Sequence, residues 1–177
     1  MRRRTVLAAL AVAGLTAGAS GAAGAHGPDD VTTARQATAA FHRTAVAEAA
    51  GYGLPPAGPL HECIEHLEGR GAMGLHLING ELVSDAVLDP ALPEALVYEE
   101  TANGTKLVAL EYVVFQDVWE AEHGATVPQL FGRPLTPVGF PNRYEIPAFY
   151  QIHVWAWEHN PAGMFADFST RATCHEH

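Results

Sequence analysis

Apolar and polar positions along the chain predict one helical stretch followed by several short strands. Residues 32–50, TTARQATAAFHRTAVAEAA, set Ala34, Ala37, Phe41, Ala45, Val46 and Ala49 at helical spacing. Thr32 or Thr33 can cap such a helix, and Gly51 and Gly53 can stop it. The apolar stripe is thin and Ala-rich, which suits packing against something flat, such as a sheet. Residues 51–60, GYGLPPAGPL, are a Gly/Pro connector, and HECIEHLEGRG reads as a loop or short helical turn. GLHLIN, 74–79, predicts a short strand, and residues 80–94 carry turn signals and two prolines.

The clearest local pattern is ALVYEETANGTKLVALEYVVF, 95–115, where two apolar β-branched runs flank Asn103-Gly104. That dipeptide predicts a hairpin with a type I′ turn. Its two-residue loop would pair Tyr98 with Ala109 and Leu96 with Glu111. Residues 107–115 are apolar on both faces except at Glu111, the pattern of a strand covered on both sides. DVWEAEH, 117–123, predicts a helical turn, and the Pro-rich residues 127–148 an ordered loop over a sheet edge or barrel mouth. FYQIHVWAW, 149–157, alternates as a last strand and sets His153, Trp155 and Trp157 on one face. The order of elements predicts an α+β fold, with an N-terminal helix packed on a curved antiparallel sheet or small β-barrel. An all-β barrel is the alternative.

The chain ends change the picture of where this fold works. Arg2, Arg3 and Arg4, an Ala/Gly-rich apolar stretch and Ala23-Gly24-Ala25 read as a signal peptide over residues 1–25. Arg3-Arg4-Thr5-Val6-Leu7 also fits a loose twin-arginine pattern. The mature chain, 26–177, would be a single globular domain with no further membrane span, secreted or held in a bacterial cell envelope. Losing three arginines and no acid leaves 20 acids against 7 basic residues, a net charge of −13. A surface this acidic argues against nucleic acid and anionic membranes as partners. The two cysteines, Cys63 and Cys174, read as one disulfide that ties down the tail. Paired metal thiolates are the rival reading.

Ten histidines are well above the usual share and point to metal chemistry. His76 sits mid-strand in GLHLIN, and His153 mid-strand in YQIHVWAW. Glu111 is a carboxylate in an otherwise apolar strand, and burying it costs several kcal/mol unless it is paired or ligating. An arginine such as Arg133 or Arg143 is the non-metal partner to weigh. If His76, Glu111 and His153 converge from three strands, two imidazoles and a carboxylate suit Fe(II), Zn(II) or Mn(II) with coordination positions left open. Tyr98, Tyr112, Trp155 and Trp157 would wall that pocket. In LHECIEHLE, 60–68, the second histidine falls one place too late for a zinc-protease motif. No phosphate loop, GxSxG elbow or CxxC is present.

GAMGLHLIN, PEALVYE, ALEYVVF, PAFYQIHVWAWEHNPAGMFADF and the closing Cys174 together resemble a family of uncharacterised secreted bacterial single-domain proteins. Within it the GAMGxH and HVWxWxxNPxGMF motifs are the specific part. The resemblance spans about residues 40–174 and implies an extracytoplasmic domain without implying an activity. A looser similarity is to cupins, which hold metal with His and Glu from barrel strands, although their paired strand His-x-His and its spacing are lacking here. Cleavage after Ala25 would expose His26, whose amine and imidazole would resemble the Cu(II) chelate of copper-dependent polysaccharide monooxygenases. Pro28-Asp29-Asp30 departs from that pattern. Two functions follow: a transition-metal protein or metal-dependent enzyme, or a small-ligand-binding or structural domain held by one disulfide.

Overall fold

The computed structural model of the chain describes residues 28–174. The predicted signal peptide, His26, His175 and His177 lie outside the described residues.

Helix α1 spans Pro28–Thr38, with Pro28 at its start and Asp29 and Asp30 in its first turn, where the helix dipole favours them. The predicted continuous helix is interrupted. Ala39–His42 form a 3-10 turn, Arg43 is extended, and α2 runs only from Thr44 to Ala49. The interruption frees the Phe41 carbonyl to accept from the Tyr98 hydroxyl at 2.6 Å. Ala34 and Ala47 share an apolar cluster with Leu96, Tyr98 and Leu110.

Strand β1 is Ile64–Glu65, and β2 is Ala72–Ile78, two residues earlier at its start than expected. Asn79 then accepts from the Glu81 and Leu82 amides, which ends β2 and caps the short helix α3, Gly80–Val83. Strands β3, Ala95–Thr101, and β4, Gly104–Phe115, form the predicted hairpin. Helix α4, Gln116–His123, stands at 117–123 where a helical turn is predicted. Strands β5 (Gln129–Leu130), β6 (Arg133–Pro134) and β7 (Thr136–Val138) lie in the Pro-rich segment. Strand β8 is Phe149–Val154, so it stops before Trp155 and Trp157.

Six strands make one curled antiparallel sheet in the order β1-β2-β3-β4-β8-β7, an open half-barrel, with β5 and β6 paired separately. With its few helices the fold is α+β. The hairpin differs from the predicted geometry. Its loop is Ala102-Asn103, neither residue has positive φ, and Gly104 takes φ 105° and pairs with Thr101. That is a turn closed by a glycine bulge, not a type I′ turn. A second irregularity follows: Tyr98 opposes Leu107 while Val97 opposes Ala109, leaving Val108 extra. Glu111 therefore pairs with Ala95, not Leu96. A turn with positive φ at both central residues occurs instead at Phe131 and Gly132, between β5 and β6. Packing of the Phe131 ring on Tyr112 and Phe165 holds that costly conformation.

Directly opposed residues of an antiparallel sheet point to the same face. One face carries Leu96, Tyr98, Leu107, Leu110, Tyr112, Ile152 and Val154 into the main apolar cluster. The other carries His76, Val97, Ala109, Glu111 and His153.

Candidate metal centre

Three neighbouring stretches of sheet deliver the three polar side chains. Glu111 of β4 opposes His153 of β8, and His76 of β2 opposes Val97 of β3, which opposes Ala109 of β4. Gly74 shapes the approach of β2. It takes φ 123°, and a Cβ there would stand 2.6 Å from the Tyr98 carbonyl oxygen, so only glycine lets the strands close at this point.

His76 and His153 are 1 % and 0 % exposed, and Glu111 is 8 % exposed. His76 Nε2 lies 3.3 Å from His153 Nε2 and 3.4 Å from Glu111 Oε2. His153 Nδ1 lies 3.6 Å from Glu111 Oε1 and 3.9 Å from Asp167 Oδ1. One donor atom from each of His76, Glu111 and His153 can be chosen so that all lie within 4.8 Å of one another. The buried His/Glu/His group can hold a metal ion. Tetrahedral coordination at bond lengths of about 2.0–2.1 Å sets neighbouring donors about 3.3–3.4 Å apart, which matches the two shortest separations.

The electrostatics suit a cation. Among the described residues Glu111 has no lysine or arginine partner. Arg133 stacks over Phe165 and Arg143 over Tyr144. Burial, then the Asp167 charge, pushes the Glu111 carboxyl up to about 8. Burial pushes His76 down to about 4, opposed by the Gly74 backbone, and it holds His153 well below the usual imidazole range, with His76 adding to the effect. The Nδ1 atoms of both histidines have no hydrogen-bond partner. Buried polar atoms are rarely left so, and leaving one unmade costs about 1–3 kcal/mol.

Of the four aromatic residues predicted as walls, only Trp155 packs with residues of the His153 face. It packs with Ala72, Val97 and Ala109, and its indole N–H donates to the Ala166 carbonyl at 2.6 Å. Tyr112 follows Glu111 in an uninterrupted strand and so points the other way, its hydroxyl donating to the Pro90 carbonyl. Tyr98 is on that opposite face because of the altered hairpin register. Trp157 falls beyond β8, and its indole donates to the Thr38 hydroxyl. The structure does not bring these three to the cluster.

Residues that sequence reasoning passed over stand in their place. A pocket of about 350 Å³ opens against His76 and Glu111, lined also by Met73, Glu94, Tyr144 and Phe149. Tyr144 comes from the Pro-rich loop, and its hydroxyl lies 3.7 Å from Met73 Sδ. Glu94 is 1 % exposed, its Oε2 accepts from the Val113 amide, and burial pushes its carboxyl up to about 9. Asp167 belongs to the tail, which pairs with β2 through Ser169 and Ala72 and is tied to the segment before β1 by the Cys63–Cys174 disulfide. The one usable signal was an acid at the head of a strand in PEALVYE.

No protein-family model, curated protein or solved structure matches this chain. No helix among the described residues is long and apolar enough to cross a membrane.

Proposed function

We propose that the chain is an exported single-domain protein, its sheet backed by the N-terminal helix, that binds one divalent transition metal between His76, Glu111 and His153. The observation that carries this reading is the meeting of two buried imidazoles and a buried carboxylate that no arginine or lysine neutralises. A structural ion pair would be expected to recruit a guanidinium, and the two arginines best placed in the sequence stack on aromatic rings instead. Among Fe, Zn, Mn and Cu, the donor spacing favours Zn(II) held by three protein ligands, with a fourth position left for water or substrate. That arrangement belongs to catalytic rather than purely structural zinc, and a metal-dependent enzyme is the class it supports. Asp167, 3.9 Å from His153 Nδ1, would orient the His153 ring from behind. The signal peptide and the resemblance to secreted bacterial proteins support export, where a disulfide persists.

Elemental analysis of the untagged mature protein, purified without chelator, tests this. About one equivalent of metal per chain is expected, lost in His153→Ala and in Glu111→Gln while both variants keep the wild-type circular dichroism spectrum. Folded wild-type protein that takes up none of Zn(II), Fe(II), Mn(II) or Cu(II) at equilibrium would overturn the proposal. It would leave the alternative, a small-ligand or structural domain held by its disulfide.

A further inference from the structure

The pocket beside the cluster has a composition that selects its occupant. It measures about 350 Å³, at the small end of the range of about 300–1,000 Å³ found for sites of drug-sized molecules. Leu60, Ile64, Met73, Val83, Ile146 and Phe149 are among the apolar residues that line it. The titratable groups that reach it are His76, Glu94, Glu111 and the hydroxyl-bearing Tyr144, with Ser84 beside them. No lysine or arginine lines it.

This chemistry excludes broad ligand classes. A phosphate or sulfonate would be buried against carboxyl groups with no side-chain cation to meet it, at a cost of several kcal/mol. A sugar would leave most of its hydroxyls against hydrocarbon, where each unpaired hydroxyl is penalised. An ammonium ion would have to give up its water shell against a wall that is mostly hydrocarbon, at a similar cost. An uncharged hydrocarbon body meets none of these costs and recovers about 25 cal/mol for each Å² it removes from water.

Two of the polar groups come from neighbouring backbone positions. Ala95 opposes Glu111, and Glu94 precedes Ala95 at the head of β3. Glu94 Oε2 already accepts the Val113 amide. A ligand with one polar atom can therefore place it among Glu94, Glu111 and His76 while its remainder fills the apolar walls.

We propose that this pocket takes a small uncharged molecule, a hydrocarbon body carrying one hydroxyl, with that hydroxyl directed at Glu94, Glu111 and His76. The inference rests on the metal reading only for coordination of the hydroxyl. The apolar body needs no metal.

Titration calorimetry with naphthol, on both zinc-loaded and metal-free protein, is the test. Naphthalene sulfonate, naphthylmethylammonium and methyl glucoside serve as the anionic, cationic and sugar comparators. Naphthol is expected to bind about tenfold or more tightly than each comparator. Ile146→Trp, on the loop, and Val83→Phe, on α3, both fill the cavity. Each should weaken naphthol by about tenfold or more while the metal content stays at the wild-type value. Having both variants guards against one of them misfolding. Naphthol that binds neither form, or binds both filled variants as well as wild type, overturns the inference. So does a preference for the ammonium or the sulfonate. Naphthol that binds a protein which takes up no metal supports the pocket and refutes the metal reading. Stoichiometric zinc with no naphthol binding does the reverse.

Discussion

The two faces of the sheet treat buried polar atoms in opposite ways. On the main apolar face the hydroxyls of Tyr52, Tyr98 and Tyr112 each donate to a main-chain carbonyl, at Pro93, Phe41 and Pro90, over 2.6–2.7 Å. On the other face His76 and His153 keep their Nδ1 atoms without hydrogen-bond partners, and among the described residues Glu111 lies beside those imidazoles with no lysine or arginine to pair it. A polar group that serves stability is satisfied within the fold. One that serves a ligand is left for the ligand to satisfy. The comparison separates aromatic residues that look alike in sequence from the histidines that carry the site.

The cover over the second face is also held differently. The tail that brings Asp167 and the Ala166 carbonyl to His153 and Trp155 is closed by the Cys63–Cys174 bridge, 111 residues apart in sequence. Replacing both cysteines by serine should lower unfolding free energy by roughly 5 kcal/mol on the chain-entropy model, measured by urea titration. It should lower metal affinity as well, because the His153 side loses its backing. Unchanged metal affinity in the double variant would detach the tail from the site.

A pair of substitutions tests the comparison itself. Leu96→Ala on the main apolar face should cost about 3 kcal/mol in the metal-free protein through lost burial and a cavity. Glu111→Leu on the other face should be neutral or stabilising by about 1–4 kcal/mol, since it removes a buried carboxyl that no arginine or lysine pairs. Urea titrations of metal-free wild type and both variants give the signs. If Glu111→Leu destabilises as much as Leu96→Ala does, the cluster is structural and the contrast fails.

Much of the site was legible in the sequence because it depends on strand alternation. His76 and His153 lie mid-strand, and Glu111 is the one charge in an apolar run, so each had to face a buried layer. What the pattern misplaced depends on register. The glycine-bulge turn at Gly104 and the extra Val108 move the pairing of β3 and β4 by one residue at Glu111, and a one-residue slip exchanges the faces. That slip takes Tyr98 away from the site. Trp157 was misplaced because β8 ends at Val154, after which the Trp157 amide donates to the extra Val108 carbonyl. The same bulge thus sets both errors. Glu94, Tyr144 and Asp167 arrive from connections whose course no periodicity records.

Glu94 ties the stability of the fold to pH. Its carboxyl stands at about 9 in the folded chain against the ordinary 4.5, raised by burial and further by Asp85 and Glu111. Between these values the unfolded chain has released the proton and the folded chain has kept it. Stability therefore falls as pH rises from about 4.5 to about 9. Glu111 adds a change of the same sign up to about 8. Glu94→Gln retains an acceptor for the Val113 amide and has no proton to lose. Its melting temperature should match wild type near pH 4.5 and exceed it increasingly toward pH 9. Parallel curves for the two proteins would mean that Glu94 is ionised in the folded state.

The smallest effects fall on the tyrosines. Tyr98→Phe removes a donor from the Phe41 carbonyl at the break between α1 and α2, and Tyr112→Phe removes one from the Pro90 carbonyl. Each ring keeps its packing, so each variant should lose only the net worth of one hydrogen bond, about 0.5–1.5 kcal/mol. Neither should alter metal content, because both hydroxyls point away from His76, Glu111 and His153. A Tyr112→Phe variant that lost metal would be the more damaging result. Tyr112 neighbours Glu111 in β4, and such a loss would show that the two sheet faces are coupled through the strand and not insulated by it. If both variants hold their metal and lose stability by similar amounts, the hydroxyls belong to the fold, and the polar atoms it leaves unmatched are those of the site.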